Sequence, residues 1–197
     1  MRFMNLALFD FDGTITTRDS LPEFIQYAVG KPAYYLGLII LSPVLLFYLL
    51  GIVSNHFAKE RLLAWHFKGW GLDRFQQIAE QYSYQEIDGM LRVEAIEKLQ
   101  WHQQRGDRVI VVSASMESWL KPWCDTRGVE LLATRLAVDN NLLTGKFETA
   151  NCHGEEKINR VRQVVDLESF DAVYAYGDSS GDSAMLAVAN HAFFRKF

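Results

Sequence analysis

Leu6-Ala7-Leu8-Phe9-Asp10-Phe11-Asp12-Gly13-Thr14 carries an apolar run into two aspartates spaced i, i+2, followed by a glycine and a hydroxyl. A continuous apolar run bounded by a turn signal fits a strand buried on both faces of a parallel sheet. Residues i and i+2 of an extended chain point the same way, so Asp10 and Asp12 are expected to project from the strand end toward one spot. Two carboxylates that close repel unless a cation sits between them. A hard dication with oxygen ligands suits the pair, and Mg²⁺ is usually completed by phosphate and water. Gly13 lets the chain turn and a ligand approach the backbone. A plain surface turn is the competing reading of these residues. A calcium loop is a poorer one, because Thr14-Ile15-Thr16-Thr17-Arg18 lacks the alternate ligands and the closing glutamate.

The 197 residues are 49% hydrophobic and 13% aromatic, enough for one domain with a core and a modest insertion. The net charge of -4 and the lack of a long basic run leave no electrostatic footprint for nucleic acid. Cys124 and Cys152 form neither a Cys-x-x-Cys nor a disulfide framework, which suits a reducing, cytoplasmic setting. The apolar stretch at the N-terminus is short and runs into Asp10, unlike a secretory signal.

After Thr14 the pattern turns helical. Asp19 or Ser20 is the expected cap of a helix that Gly30-Lys31-Pro32 ends. Tyr34 to Val53, YYLGLIILSPVLLFYLLGIV, is apolar enough to resemble a membrane span. A single crossing would separate Asp10 and Asp12 from the rest of the chain, and no comparable segment returns it. Ser42-Pro43 divides the run, so two short helices are expected over about 34–41 and 43–53. Whether they are buried core or a membrane-facing patch stays open. Helical spacing with frequent aromatics continues to Gln104, and an all-helical insertion is placed at 15–88. It would interrupt a core made of 1–14 and 89–197.

The second half alternates strands and helices. Strands are expected at Arg108–Val112, Ala172–Tyr176 and His191–Phe194. A hairpin is expected from Leu136 to Phe147 around Asp139-Asn140-Asn141. Helices are expected before Gly128, after Gly154 and from about Ser183. The alternation implies an α/β fold with a parallel sheet. Three apolar strands then each end in polar groups: Asp10 and Asp12, Ser113, and Asp178 with Asp182. Ligands of open parallel sheets sit beyond the carboxyl ends of the strands, so these groups can meet there, with Lys157 joining from a helix start. The set suits phosphoryl transfer, with a carboxylate nucleophile, a second carboxylate as acid and base, and Ser113 and Lys157 on the phosphoryl oxygens.

Asp10-Phe11-Asp12-Gly13-Thr14, Ser113, Lys157 and Gly177-Asp178-Ser179-Ser180-Gly181-Asp182 resemble, in order and in strand context, the four motifs of the haloacid dehalogenase superfamily. The helical insertion after the first motif resembles its phosphoserine-phosphatase-like branch. The resemblance implies a Rossmann-like core under a small helical cap, Mg²⁺ as cofactor, Asp10 as nucleophile and Asp12 as acid/base. It implies metal contacts from Asp10, the Asp12 carbonyl and Asp178, with Asp182 supporting the metal waters or Lys157. The second aspartate favours a phosphatase over a dehalogenase or a P-type ATPase.

Three departures bear on the substrate. Ser113-Ala114-Ser115 replaces the usual Ser-Gly-Gly, Asp19 stands where the branch has a cap glutamate, and the block 34–53 resembles the cap of bacterial phosphatidylglycerophosphatases. The expected substrate contacts are Thr14, Asp19, Ala114 and Arg61, with Arg18 a further candidate. The first expectation is a phosphatase of small phosphorylated metabolites. The alternatives are a lipid-phosphate phosphatase resting on a membrane through 34–53, and a phosphate- or metal-binding module without turnover.

Overall fold

A computed structural model describes residues 5–197; residues 1–4 of the expected core lie outside the described residues. The apolar run that begins the chain forms β1 (Asn5–Phe9), in which every residue is buried. It is flanked on both sides. Leu8 pairs with Ile110 of β2 (Arg108–Met116) and with Ala175 of β6 (Ala172–Gly177). β3 (Glu130–Thr134) and β7 (His191–Phe194) close the edges, giving a five-stranded sheet in the order β3-β2-β1-β6-β7, with every pairing parallel. The expected parallel α/β sheet is therefore present, and the strand after His191 completes it.

The alternation of side chains divides this sheet between two cores. Ala7, Phe9, Val109 and Val111 face one apolar cluster, while Leu6, Leu8, Ile110 and Val112 face the other. The second cluster is covered by Ile158 and Val161 of α8 (Glu155–Val164) and Met185 of α9 (Ser183–Ala187). The first is shared with the helices inserted after β1.

Those helices are α1 (Ser20–Val29), α2 (Lys31–Ile40), α3 (Ser42–Leu49), α4 (Asn55–Phe67) and α5 (Leu72–Gln85). A 3-10 turn (Ile87–Met90) and α6 (Val93–Gln104) return the chain to β2. Phe24, Phe67, Phe75 and Tyr82 bury their rings here, and Phe24 stacks on Trp119 of α7 (Glu117–Thr126) at 4.3 Å between centroids. Of the aromatics expected to be core, Phe67, Phe75 and Tyr82 are buried, whereas Phe57, Trp65 and Tyr84 are exposed.

Several local expectations shift. The two apolar helices run from Lys31 and Ser42 and end at Ile40 and Leu49, a few residues ahead of the expected bounds, and they bend by 66°. Ser42 is not the cap of α3; Leu41 takes that place and Pro43 sits in the first turn. β2 continues past Ser113 to Met116, with an irregular register after Ser113. β3 has no counterpart in the sequence reading, because Glu130-Leu131-Leu132-Ala133-Thr134 lacks the β-branched run that marks its neighbours.

The expected hairpin forms as β4 (Leu136–Asp139) and β5 (Leu142–Phe147), joined by Asn140 and Asn141, both at positive φ. It docks against the helical insertion. Gly69 N donates to Leu143 O at 2.8 Å, Leu143 N donates to Trp70 O at 2.9 Å, and Phe147 N donates to the Glu60 carboxylate at 2.8 Å. The insertion is therefore tied to the second half of the chain by a hairpin as well as by its own ends.

Candidate active site

The parallel register brings the carboxyl ends of β1, β2 and β6 to one edge, where a cavity of about 380 Å³ opens. Asp10 follows the last residue of β1, and its backbone N–H extends the ladder to Tyr176 O at 2.9 Å. One carboxylate oxygen accepts from Lys157 Nζ at 2.5 Å, and the other accepts from Thr14 Oγ1 at 3.4 Å. Lys157 lies in the first turn of α8 and also donates to Asp182 Oδ1 at 2.6 Å. The second oxygen of Asp182 accepts from the backbone N–H groups of Asp178 and Ser179 and from Ser179 Oγ, at 2.9–3.1 Å. Asp182 therefore fixes both the lysine and the loop that presents Asp178.

Gly13 makes room for that loop. It adopts φ +78°, and a Cβ there would lie 2.7 Å from Asp178 Cγ. Asp10, Asp178 and Asp182 each offer a carboxylate oxygen, all within 4.8 Å of one another. Burial pushes the Asp10 carboxyl up to about 7, even though the charge of Lys157 opposes the shift. Burial and the Asp182 charge also raise Asp178. Burial opposes the charge of Lys157 too, but the carboxylates of Asp10 and Asp182 outweigh it and hold the ammonium protonated. Burial, with one lysine for three carboxylates, thus leaves Asp10 and Asp178 easier to protonate than free carboxylates. An oxygen-lined dication suits this donor set.

Asp12 lines the same cavity, with its carboxylate bonded on the side of the inserted helices. Oδ1 accepts from the backbone N–H of Ser20 at 2.7 Å, at the start of α1, and Oδ2 accepts from Ser115 Oγ. The carboxylate is thus held at a helix N-terminus, where N–H groups lack intrahelical partners. Ser20 Oγ donates to Ser115 Oγ at 3.0 Å and accepts from Trp119 Nε1 at 3.1 Å, so a chain of hydrogen bonds from α7 to α1 ends on Asp12.

The sequence reading missed the residues completing this wall. Ser113 is fully buried, and its Oγ accepts from Ser115 N at 3.0 Å; the hydroxyl lining the cavity is that of Ser115. Ala114 lines the cavity as expected, with its carbonyl accepting from Lys59 Nζ at 3.3 Å. Thr14 is buried against Asp10. Asp19 lies on the rim, where partial burial and then the charge of Asp12 raise its carboxyl. Arg61 is not brought to the site: it is exposed, with its guanidinium 4.8 Å from the Phe57 ring centroid. Arg18 pairs with Glu23 on the surface at 3.3 Å.

The cation that the helical layer does supply is Lys59 of α4, with Asn55 one turn earlier. Burial lowers the Lys59 pKa, against the pull of Asp12 and Asp19. The i, i+4 spacing of Asn55 and Lys59 was the available signal, but it is common on helices that carry no site. His153, ahead of α8, also lines the cavity, and burial lowers its pKa. Lys121 and Lys146, the rival lysines of this half, are exposed elsewhere.

Residues 7–187 match the sequence profile of the haloacid dehalogenase-like hydrolases. The chain belongs to that family. Among relatives of this hydrolase, protein CicA of Caulobacter vibrioides is 30% identical over 194 residues, covering 98% of this chain and 86% of CicA. A histidinol-phosphatase of Neisseria meningitidis serogroup C is 25% identical over 209 residues, covering 94% of this chain and 87% of the relative. In fold the hydrolase is similar to a phosphoserine phosphatase solved as a phospho-aspartyl intermediate analogue. That likeness has a TM-score of 0.67 and 20% identity, and covers 95% of this chain and 84% of the other. The Rossmann-like core expected from the motifs is present, and the fold is similar to that of phosphoserine phosphatases.

Proposed function

We propose that this phosphatase hydrolyses a small phosphate monoester by way of an aspartyl-phosphate on Asp10. The observation that carries the reading is the division of labour between the two aspartates. Asp10 is buried against Lys157 beside the carboxylate cluster, while Asp12 is held apart on Ser20 N and Ser115 Oγ. An Asp10 oxygen attacks phosphorus, and the ester P–O bond breaks with its electron pair leaving on the alcohol oxygen. Asp12 protonates that oxygen. It then takes a proton from water, whose oxygen attacks the phosphorus of the acyl phosphate and frees inorganic phosphate and the Asp10 carboxylate. Lys157 offsets charge on the phosphoryl oxygens, in place and protonated before substrate arrives.

Mg²⁺ fits the donor set of Asp10 and Asp178, with the Asp12 main-chain carbonyl the remaining expected ligand. When bound it neutralises phosphate charge. Asp182 already accepts four hydrogen bonds, and it supports this site by holding Lys157 and the Asp178 loop. The cavity volume lies at the low end for ligand sites, which favours a small ester. Asp19, Asn55 and Lys59 sit where a leaving group would extend. Their mixed charge suits an alcohol bearing polar or ionic groups.

The test is Mg²⁺-dependent phosphate release from a panel of small phosphate esters, with Asp10→Asn as the blank. Turnover that Asp10→Asn abolishes supports the reading. Phosphate binding without turnover supports the non-catalytic module instead. A lipid-phosphate substrate is the second reading, favoured by the exposure of the apolar block 34–53, and phosphatidylglycerophosphate in mixed micelles belongs in the panel.

A further inference from the structure

From Pro32 to Ala58 the chain carries no Asp, Glu, Lys or Arg. Such a run is ordinary in a core helix, but here it lies on the outside. No residue of α3 is buried, and on α2 only Tyr34 and Gly37 are. Ile39 is 70% exposed and Leu49 is 79% exposed, and Leu36, Leu46, Leu50 and Ile52 are all more than half exposed. Soluble surfaces rarely expose a contiguous apolar patch of this kind without a partner.

The shape of the patch discriminates among partners. A helix that docks on another protein keeps one apolar face and one polar face. α3 (Ser42–Leu49, SPVLLFYL) has apolar residues around its whole circumference and no charge. A second copy of the chain would cover one side and leave the other in water. A lipid phase covers all sides of a helix tip that dips into it. The pair is too short to cross: 10 and 8 residues with a 66° bend give about 15 Å and 12 Å of helix at ~1.5 Å per residue, against a hydrocarbon core of about 30 Å.

Charge points the same way. The chain as a whole is acidic, at -4. The stretch from Gly30 to Trp70, which holds the patch, has four cations (Lys31, Lys59, Arg61, Lys68) against one anion (Glu60). Lys31, Arg61 and Lys68 are exposed, and Glu60 is engaged by Phe147 N and His56. Exposed cations on the elements that carry an apolar wedge match an anionic bilayer surface.

We infer that the α2–α3 hairpin docks this enzyme on the surface of an anionic lipid bilayer, with Ile39, Leu46, Leu49, Leu50 and Ile52 inserted at the headgroup boundary. The docking stands independently of which ester is hydrolysed. It does place the site close to the bilayer, because α2 packs on α1 and both α2 and α3 pack on α4, and α1 and α4 supply cavity residues Leu21, Asn55 and Lys59.

The test is co-sedimentation with vesicles of phosphatidylcholine and phosphatidylglycerol, comparing the full chain with an Ile39→Asp/Leu49→Asp double variant. Both side chains are exposed and outside the catalytic machinery, so hydrolysis of p-nitrophenyl phosphate should be unchanged. The expected result is sedimentation of the wild type and at least roughly tenfold weaker binding of the variant. A Leu49→Cys protein carrying an environment-sensitive fluorophore should also blue-shift on adding vesicles, which reads docking without relying on the double variant. A wild type that stays in the supernatant with no fluorescence shift overturns the inference. So does a concentration-dependent dimer in light scattering that the double variant abolishes without any vesicle binding, which would assign the patch to a second copy.

Discussion

Two aspartates two residues apart take up different environments because the ladder's last bond is made at Asp10. Asp10 stays in the ladder and is buried, while Asp12 opens the turn that follows and is captured by the start of α1. The convergence of Asp10, Asp178 and Lys157 was legible from the sequence, since apolar strands that end in acidic groups meet at one sheet edge by topology alone. The role of Ser115 was not. Alternation puts Ser113 and Ser115 on one face, and only the irregular register of β2 after Ser113 decides which hydroxyl reaches the cavity. Removing the Ser115 hydroxyl leaves Asp12 with the Ser20 N–H alone. Ser115→Ala is therefore expected to lower kcat by roughly 10- to 100-fold with little change in KM, measured by steady-state phosphate release. Lys59 is expected to act on the substrate side. Lys59→Ala should raise KM more than it lowers kcat, and Lys59→Arg should restore part of the loss.

Among the helices, the apolar pair shows most clearly where sequence stops deciding. α2 and α3 have the composition of core helices, and hydropathy is the same whichever side faces water. Their exposure follows from how they pack. Gly37 lets α2 approach α4, where a Cβ would lie 2.6 Å from the His66 ring and 2.8 Å from Trp65. Gly37→Val should destabilise the protein by about 1–3 kcal/mol in denaturant unfolding without altering the catalytic residues. His66 and His102 give this layer a pH dependence. Burial lowers both pKa values, and it does so for His102 despite its hydrogen bond to Asp107 at 2.8 Å. A histidine whose folded pKa lies below its unfolded value costs nothing above about pH 6.5. Below that, the unfolded chain takes up the proton first and stability is lost. These two histidines should therefore cost stability between about pH 7 and pH 5, opposed over the same range by Asp10, whose raised carboxyl takes up its proton in the folded state first. Thermal melts of His66→Phe should lose less stability toward acid than the wild type over that range, because His66 Nε2 is buried without a hydrogen-bond partner among the described residues.

At the scale of the molecule, the order β3-β2-β1-β6-β7 places the first and last motifs on adjacent strands although nearly the whole chain separates them. This much was readable, because buried parallel strands announce themselves as apolar runs. β3 was not readable, since its five residues carry no such mark and it is recruited by pairing with β2. The carboxylate cluster makes a prediction for the whole fold that does not depend on turnover. On the proposed reading Mg²⁺ would be held by Asp10 and Asp178 in the native state alone, so at a hundredfold excess over its dissociation constant it should add about 2.7 kcal/mol of stability. Calorimetry with and without chelator measures this, and Asp178→Asn should remove the effect.

The central claim is a phosphoryl group carried covalently on Asp10. The direct measurement is acid quench during steady-state turnover of p-nitrophenyl phosphate with Mg²⁺, followed by borohydride reduction and peptide mass spectrometry. An acyl phosphate is reduced to the alcohol, so the account predicts homoserine at position 10 in the wild type and unmodified aspartate in a control without substrate. Asp12→Asn should accumulate more of it, because p-nitrophenolate leaves without a general acid whereas the water step lacks its base. Unmodified Asp10 in both proteins while phosphate is released would contradict the account and point to direct attack by water.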